Sequence, residues 1–137
     1  MDENRIEKPG LLSPLVLAYI GDSVYEMYVR NRIVSQHPDM PAYKLHKIAI
    51  KYVCAKAQSH SILALETELT DAECAVYKRG RNAKSATVPK NAEVVDYRRA
   101  TGFEALVGYL YLNDEKQRLI HILEKAFDVV EAELQQK

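Results

Sequence analysis

Apolar residues recur at helical spacing along most of the chain and are separated by short polar breaks. Ser13 followed by Pro14 is typical of an N-cap with proline at the first helical position. This start predicts a first helix over about 15–34, which ends near the segment SQHPDMP. A second helix is predicted over about 43–59, because the apolar residues there keep the same spacing.

The second half of the chain contains three more helix patterns. The segment TDAE at Thr70–Glu73 fits a capping box, so a third helix is predicted to begin there and to end near Gly80. The segment RNAKSATVPKN is typical of a loop, and Asn91 is the predicted cap of the next helix, which carries VVDYRRATGFEALVGYLYL. Asn113 or Asp114 is predicted to open the last helix. The buried face of that helix is predicted to consist of Ile120, Leu123, Phe127 and Val130.

These patterns predict an all-α fold. No segment shows the sustained two-residue alternation and tight turns that are typical of β-hairpins. The 137 residues suit a single domain over 1–137. Its core is predicted to cover about 12–130, after a short flexible N-terminus.

The composition excludes some classes of protein. Hydrophobic residues make up 47% and charged residues 28% of the chain, which is typical of a soluble globular protein. There is no long apolar run, and the segment MDENRIEKPG does not resemble a signal peptide, so we expect a cytoplasmic protein without membrane contact. Cys54 and Cys74 lie alone in helical patterns and are predicted to be reduced packing residues, not a disulfide or a metal pair.

Charge is distributed unevenly along the chain. The formal net charge is zero, which by itself argues against a nucleic-acid partner. Residues 78–99, however, contain only two acids, Glu93 and Asp96, and seven basic residues. The basic residues are Lys78, Arg79, Arg81, Lys84, Lys90, Arg98 and Arg99. Because a field in solution is screened within about 10 Å, this local excess matters more to a polyanion than the net charge.

Gly21 and Asp22 are unexpected inside the predicted helix LAYIGDSVYEMYVRN. An interior glycine weakens a helix by roughly 1 kcal/mol relative to alanine, so we expect Gly21 to admit another backbone at close range. Asp22 shares a narrow polar stripe with Glu26 and Arg30. One interpretation is a solvated face with a Glu26–Arg30 pair. The other is a helix buried on most sides, since apolar residues cover the rest of its surface.

Glu104 is the only charged residue in the segment GFEALVGYLYL. Its neighbours four residues away, Ala100 and Gly108, are small, and no cationic residue lies three or four positions from it. A lone buried carboxylate must be neutralised, paired across space or bound to metal. Together with Asp22 and the basic segment, Glu104 suggests a metal-dependent reaction on a phosphate backbone, because Mg²⁺ takes few protein ligands and bridges to phosphate oxygens.

Two segments give the chain a resemblance to the ribonuclease III family. YIGDSVYE resembles the signature helix of that family, in which an aromatic and an aliphatic residue precede Gly-Asp. FEALVGYLYL resembles its second motif, and the likeness extends over about 12–127. With the segment KRGRNAKS and its short length, the chain is most similar to the Mini-ribonuclease III branch, which lacks a double-stranded-RNA-binding domain, and we expect none here.

The resemblance implies a fold and an activity. The fold would be the helical bundle of a ribonuclease III catalytic domain. The activity would be endonucleolytic cleavage of double-stranded RNA, which leaves 5′-phosphate and 3′-hydroxyl ends and requires Mg²⁺, with Mn²⁺ as a substitute. The resemblance further implies a role in the maturation of precursor 23S ribosomal RNA and in ribosome biogenesis, with ribosomal proteins or ribosomal particles as further candidate partners.

The resemblance also implies roles for individual residues. Asp22 matches the signature aspartate and Glu104 the glutamate of the second motif, and both would be catalytic metal ligands. The family forms homodimers, which places Tyr19 and Gly21 at the predicted interface between subunits. The predicted contacts to RNA are Lys78, Arg79, Arg81, Asn82, Lys84 and Lys90.

The chain departs from the larger members of the family at two positions. They carry further carboxylates four residues before the signature aspartate and three before the glutamate, where this chain has Ala18 and Thr101. Glu26 and Asp96 are predicted to be poor substitutes by helical angle, so waters would fill the vacant ligand positions. Two other functions stay open: a domain that binds structured RNA without efficient cleavage, and an α-helical dimer with no RNA role, in which the basic segment is a solvated loop.

Overall fold

The computed structural model describes residues 5–84 and 93–136, and no residue of these ranges lies in a strand. The all-α prediction is therefore confirmed. Two short 3₁₀ turns, Pro9–Leu11 and Glu66–Glu68, accompany the α-helices. The α-helices of the described ranges are α1 (Pro14–Gln36), α2 (Ala42–Val53), α3 (Ala55–Leu65), α4 (Asp71–Asn82), α5 (Val94–Leu112) and α6 (Lys116–Gln135). Within the same ranges, no helix has the length and apolar character that a bilayer crossing requires.

Two predicted helix starts are confirmed. Ser13 caps α1 by accepting a hydrogen bond from the Leu15 amide at 3.3 Å, with proline at the first helical position. Thr70 and Glu73 form the predicted capping box of α4, in which each side chain accepts a hydrogen bond from the other residue's amide. Glu73 is buried, and Arg118 of α6 donates to it at 2.8 Å, so the cap also ties α6 to α4.

Helix α5 forms the centre of the bundle and packs against α1, α3, α4 and α6. Phe103 of α5 meets Tyr25 of α1 edge-on, with 5.0 Å between the ring centroids. Further out, Tyr52 of α2 stacks on Phe127 of α6 at 4.2 Å. Glu104 lies on α5, so this central helix positions one of the two candidate site residues.

The predicted second helix is in fact two helices. Cys54 adopts an extended backbone (φ −67°, ψ 157°) between the end of α2 and the start of α3. Helix α3 then continues to Leu65, beyond the predicted end near Ser59. No glycine or proline marks the break, so the apolar pattern gave no sign of it. Both cysteines are free, but Cys54 is an exposed residue, so its predicted packing role is wrong.

The segment around the predicted basic loop is described only in part. Helix α4 extends to Asn82, slightly beyond the predicted end. Helix α5 begins at Val94 with Glu93 as its N-cap, so the prediction of Asn91 as the cap is wrong. Asn91 itself lies outside the described residues, as does Lys90.

Helix α6 begins later than predicted. Asn113 is the C-cap of α5, and Asp114 has a φ of 58°, in the left-handed region that suits the end of a helix. The predicted buried face is confirmed for Leu123, Phe127 and Val130, but Ile120 is 50% exposed and its predicted burial is wrong.

Candidate active site

Helices α1 and α5 cross with their backbones in contact. A Cβ atom placed on Gly21 would overlap the carbonyl oxygen of Glu104, and one placed on Gly108 would overlap the carbonyl oxygen of Leu17. The prediction that Gly21 admits another backbone is confirmed, since only glycine fits at such a crossing. The neighbour is α5 of the same chain, where Gly21 is buried. Its predicted place at an interface between subunits stays a prediction.

This crossing brings Asp22 and Glu104 together. Asp22 follows Gly21 on α1, and Glu104 supplies the carbonyl group that Gly21 meets. The two side chains interact directly, Asp22 being exposed and Glu104 partly buried. Burial and, after it, the charge of Asp22 raise the pKa of Glu104 to about 8. Without a cation nearby, Glu104 therefore keeps its proton at neutral pH.

The pair fits a divalent cation. None of the ion pairs among residues 5–84 and 93–136 involves Asp22 or Glu104. The same ranges contain no group of three or more acidic, histidine or cysteine side chains that could hold a metal ion. Mg²⁺ commonly takes only one or two protein carboxylates and completes its coordination with waters and substrate phosphates. Two carboxylates with no basic partner match that requirement.

A third helix reaches Glu104 through Gln58 of α3. The Gln58 Nε2 donates to Glu104 Oε2 at 3.4 Å and to the carbonyl oxygen of Val53 at 2.9 Å. The side chain is only 2% exposed. Gln58 was not among the predicted site residues, because a glutamine in a helix is usually a surface residue. Its position between two small residues, Ala57 and Ser59, is the sequence feature that could have indicated a buried helix face; the structure shows both of them buried.

The acidic stripe of α1 continues from Asp22 to Glu26. Glu26 pairs with Arg30 at 2.9 Å, which confirms the predicted i, i+4 pair. The charge of Glu26 also helps to raise the pKa of Glu104, after burial and Asp22. The charge of Glu26 therefore reaches the site, although its carboxylate pairs with Arg30.

The two positions that lack the expected carboxylates lie on the same helices. Ala18 is buried on α1. Thr101 of α5 is also buried, and its Oγ1 donates to the carbonyl oxygen of Tyr97 at 3.0 Å. Neither residue offers a charged ligand, so any cation at this site depends on Asp22 and Glu104.

The side chains predicted to contact RNA differ in their exposure and in the interactions that they already make within the chain. Lys78 and Lys84 are exposed. Arg81 lies over the ring of Tyr77 at 5.6 Å and donates to Asn82 at 3.2 Å. Arg79 donates to the backbone carbonyl groups of residues 10 and 12, which ties the N-terminal turn to α4. The Arg79 guanidinium therefore has a structural role, which makes it less available for contacts to RNA than the side chains of Lys78 and Lys84. Lys90 lies outside the described residues.

Apolar side chains cover the outward side of α1. Tyr19 is 77% exposed and Met27 62%. A shallow cleft on this surface is lined by Ile20, Ser23, Val24, Met27 and Tyr111. The interpretation of α1 as buried on most sides is therefore wrong for the single chain. The place of Tyr19 between two subunits stays a prediction.

Comparisons with known proteins agree with the motifs. The family model of the ribonuclease III domain matches residues 15–115. The chain is 47% identical to a Mini-ribonuclease 3 of Brevibacillus brevis, over 96% of this chain and 97% of that protein. It is 53% identical to a Mini-ribonuclease 3 of a Thermoanaerobacter species, over 92% of this chain and 89% of that protein. A crystal structure of a Fusobacterium nucleatum protein has a similar fold, with a TM-score of 0.80 and 26% identity over 93% of this chain and 99% of the other.

Proposed function

This chain belongs to the ribonuclease III family of endoribonucleases, and we propose that it cuts double-stranded RNA at a Mg²⁺-dependent site built on Asp22 and Glu104. The observation that supports the proposal most is the meeting of these two carboxylates at the Gly21 crossing. Neither has a basic partner among the described residues. Such a pair disfavours the fold when both groups are charged, unless a cation neutralises it.

Asp22 and Glu104 are the residues that would hold Mg²⁺, or Mn²⁺ in its place. When bound, the ion supplies a water that is more easily deprotonated and a positive charge that offsets the charge developing on the phosphate. Glu104 gives up its proton to act as a ligand, so cation binding should release protons from the protein. Gly21 sets the approach of α1 to α5 and thereby the position of Asp22. The products would carry 5′-phosphate and 3′-hydroxyl ends.

The basic segment is the proposed RNA contact surface. A-form RNA is recognised mainly by shape, through phosphates and 2′-hydroxyl groups. Lys78, Lys84 and Arg81 offer cationic donors at the end of α4 for such contacts, and Asn82 offers an amide. Lys90 is a further proposed contact because of its positive charge.

We propose that two copies of the chain pair through the apolar surface that includes Tyr19 and Met27. Large exposed apolar patches usually mark interaction sites in soluble proteins. Sedimentation velocity at micromolar concentration should show a dimer, and Tyr19→Ala should shift the population toward monomer while the circular dichroism spectrum stays unchanged. A wild-type protein that sediments as a monomer would exclude the dimer.

The proposed biological substrate is precursor 23S ribosomal RNA in the cytoplasm, with ribosomal proteins or ribosomal particles as further partners. Membership of the ribonuclease III family supports this proposal. Loss of the gene should therefore lead to 23S ribosomal RNA with unprocessed ends. Mature ends in such a strain would show that the natural substrate is a different duplex.

One assay tests the proposed reaction. The purified protein is mixed with a long RNA duplex in Mg²⁺ or in chelator, and both cleavage and gel shift are followed. We expect cleavage in Mg²⁺ only. Binding without cleavage would favour an RNA-binding domain. The absence of carboxylates at Ala18 and Thr101 supports this alternative. If the protein neither binds nor cleaves the duplex, the proposed RNA function is wrong.

A further inference from the structure

Gln58 joins the break between α2 and α3 to the candidate active site. Val53 is the last residue of α2, and its carbonyl oxygen lies at a helix end where backbone acceptors lose their helical partners. The Gln58 Nε2 donates to this oxygen at 2.9 Å and to Glu104 Oε2 at 3.4 Å. One amide group therefore links a fixed point of the backbone to the carboxylate.

The orientation of the Gln58 amide is determined by its neighbours. Both the Val53 carbonyl and a charged Glu104 carboxylate are acceptors, so only the NH₂ end of the amide can face them. This orientation leaves the Gln58 Oε1 buried without a hydrogen-bond partner among the described residues. Capping the end of α2 would not require a contact with Glu104. A role limited to capping α2 therefore does not explain why Gln58 also contacts the carboxylate of Glu104.

A neutral donor suits a metal ligand better than a charged one. An arginine or lysine at this place would neutralise Glu104 and compete with a cation for it. An amide can fix the direction of the carboxylate and leaves its negative charge for a cation. Residues that hold metal ligands in this way commonly change metal affinity or activity by about 10- to 100-fold when they are mutated.

We propose that Gln58 is a positioning residue, which holds the carboxylate of Glu104 in the orientation that binds a divalent cation beside Asp22. The proposal rests on the proposed function of that site. Gln58 itself touches neither the RNA nor the cation in this role. Its effect is transmitted through Glu104 alone.

The test compares Gln58→Met with the wild-type protein. Methionine keeps the length and most of the volume of glutamine but cannot donate a hydrogen bond. The first measurement is the rise in melting temperature when Mg²⁺ or Mn²⁺ is added to the metal-free protein. The second is single-turnover cleavage of saturating RNA duplex across a Mg²⁺ series. We expect the variant to lose most of the metal-induced stabilisation and to need about 10-fold more Mg²⁺ for half-maximal cleavage, with unchanged affinity for the duplex.

Ser61→Ala is the matched control. Ser61 is buried on the same helix, but its Oγ donates to Ala126 of α6 at 2.8 Å, away from Glu104. This variant should lower the melting temperature of the metal-free protein and keep the wild-type response to Mg²⁺. If Gln58→Met does not fold, Gln58→Asn serves instead, because its shorter amide withdraws from Glu104 but stays polar.

The outcomes separate the two proposals. A Gln58 variant with the wild-type metal response and Mg²⁺ midpoint would overturn the positioning role while the proposed function stands. The same conclusion follows if Ser61→Ala loses the metal response to the same extent, because the effect would then come from a weakened α3. A wild-type protein without any response to divalent cations would contradict both proposals.

Discussion

At Glu104, two physical effects act on one carboxyl group. Burial disfavours its charge, and the neighbouring carboxylate of Asp22 disfavours it again. The resulting pKa of about 8 means that the residue is largely neutral in the metal-free protein at pH 7. A bound cation would offset both effects. In the proposed site, Glu104 would therefore link the stability of the fold to protonation and to cation binding.

The stability of the metal-free protein should depend on pH through Glu104. Its pKa is about 8 in the folded protein and close to 4.5 in the unfolded chain, so between these values only the folded protein keeps the proton. The stabilisation is fully present below about pH 4.5 and is lost as the pH rises to 8, with a limiting slope of about 1.4 kcal/mol per pH unit. Urea denaturation in the presence of chelator from pH 5 to 9 measures this pH dependence of the free energy of unfolding.

Glu104→Gln is the control for this pH dependence. Glutamine stays neutral, so the variant should be more stable than the wild-type protein above pH 8, and the difference should shrink toward pH 5. Every other side chain is the same in the two proteins, so only the carboxyl group of Glu104 distinguishes the two curves. Parallel curves for the two proteins would mean that the carboxyl group of Glu104 is not perturbed.

At the scale of helices, the α1–α5 crossing decides where the carboxylates lie. Gly21 and Gly108 let the two backbones touch, and α3 brings Gln58 against the same point. Close packing leaves no room for an added atom at such a crossing. Gly21 weakens α1 as an isolated helix, but it allows the close approach of α1 and α5 that brings Asp22 and Glu104 together.

Gly21→Ala should damage both the fold and the site. The new Cβ would meet the backbone of Glu104, which cannot rotate away, so α1 and α5 must separate. We expect a loss of at least about 3 kcal/mol in the free energy of unfolding, at the upper end for overpacked cores, and loss of cleavage. Urea denaturation and the duplex cleavage assay measure the two effects.

Gly10→Ala is the matched control for that substitution. Its Cβ would lie 3.8 Å from the Tyr109 ring, an ordinary van der Waals distance. This variant should fold and cleave as the wild-type protein does. If Gly21→Ala were equally harmless, the crossing could open without cost and the account of Gly21 would be wrong.

Local patterns predicted the helices well where a local interaction determines them. The Ser13 cap and the capping box at Thr70 depend on neighbouring residues and were predicted correctly. The break at Cys54 has no such local cause, because that residue can also continue a helix. The burial of Ile120 was predicted wrongly for a similar reason: an apolar stripe does not show how far a neighbouring helix extends over it.

The candidate site was predictable only in part from sequence. Asp22 and Glu104 stood out as carboxylates in apolar surroundings, but they lie on helices far apart in the chain. Their meeting followed from the family motifs and from the α1–α5 crossing, not from spacing. Gln58 was missed because nothing in its own helix shows that a carboxylate of α5 lies against it.

At the scale of the whole molecule, two surfaces carry the proposed interactions. The apolar surface around Tyr19 is the proposed contact with a second copy of the chain, and the basic residues at the end of α4 form the proposed contact with RNA. Net charge hides the second surface, since acidic residues elsewhere cancel it in the sum. Arg81, Arg98 and Arg99 line a cleft beside the end of α4, which adds to this basic character.

Removing Arg81 and Lys84 together should weaken RNA binding and leave the chemistry of bound RNA unchanged. Each lost phosphate contact should flatten the dependence of log affinity on log salt by about 0.7 to 0.9, if duplex RNA behaves like DNA. Arg79 is left in place because it holds the N-terminal turn. Duplex affinity across a salt series is the measurement, with Lys116→Ala on α6 as the control. A wild-type salt slope in the double variant would place the RNA surface elsewhere.

The most direct test of the whole account is single-turnover cleavage of an RNA duplex in Mg²⁺ by saturating amounts of Asp22→Asn and Glu104→Gln. Both variants keep the shape of the side chain and remove the charge that would hold the cation. We expect each to lower the cleavage rate by at least about 100-fold, while duplex affinity stays equal to that of the wild-type protein or rises because a negative charge is gone. Cleavage at the wild-type rate by either variant would show that its carboxylate is not part of the catalytic site.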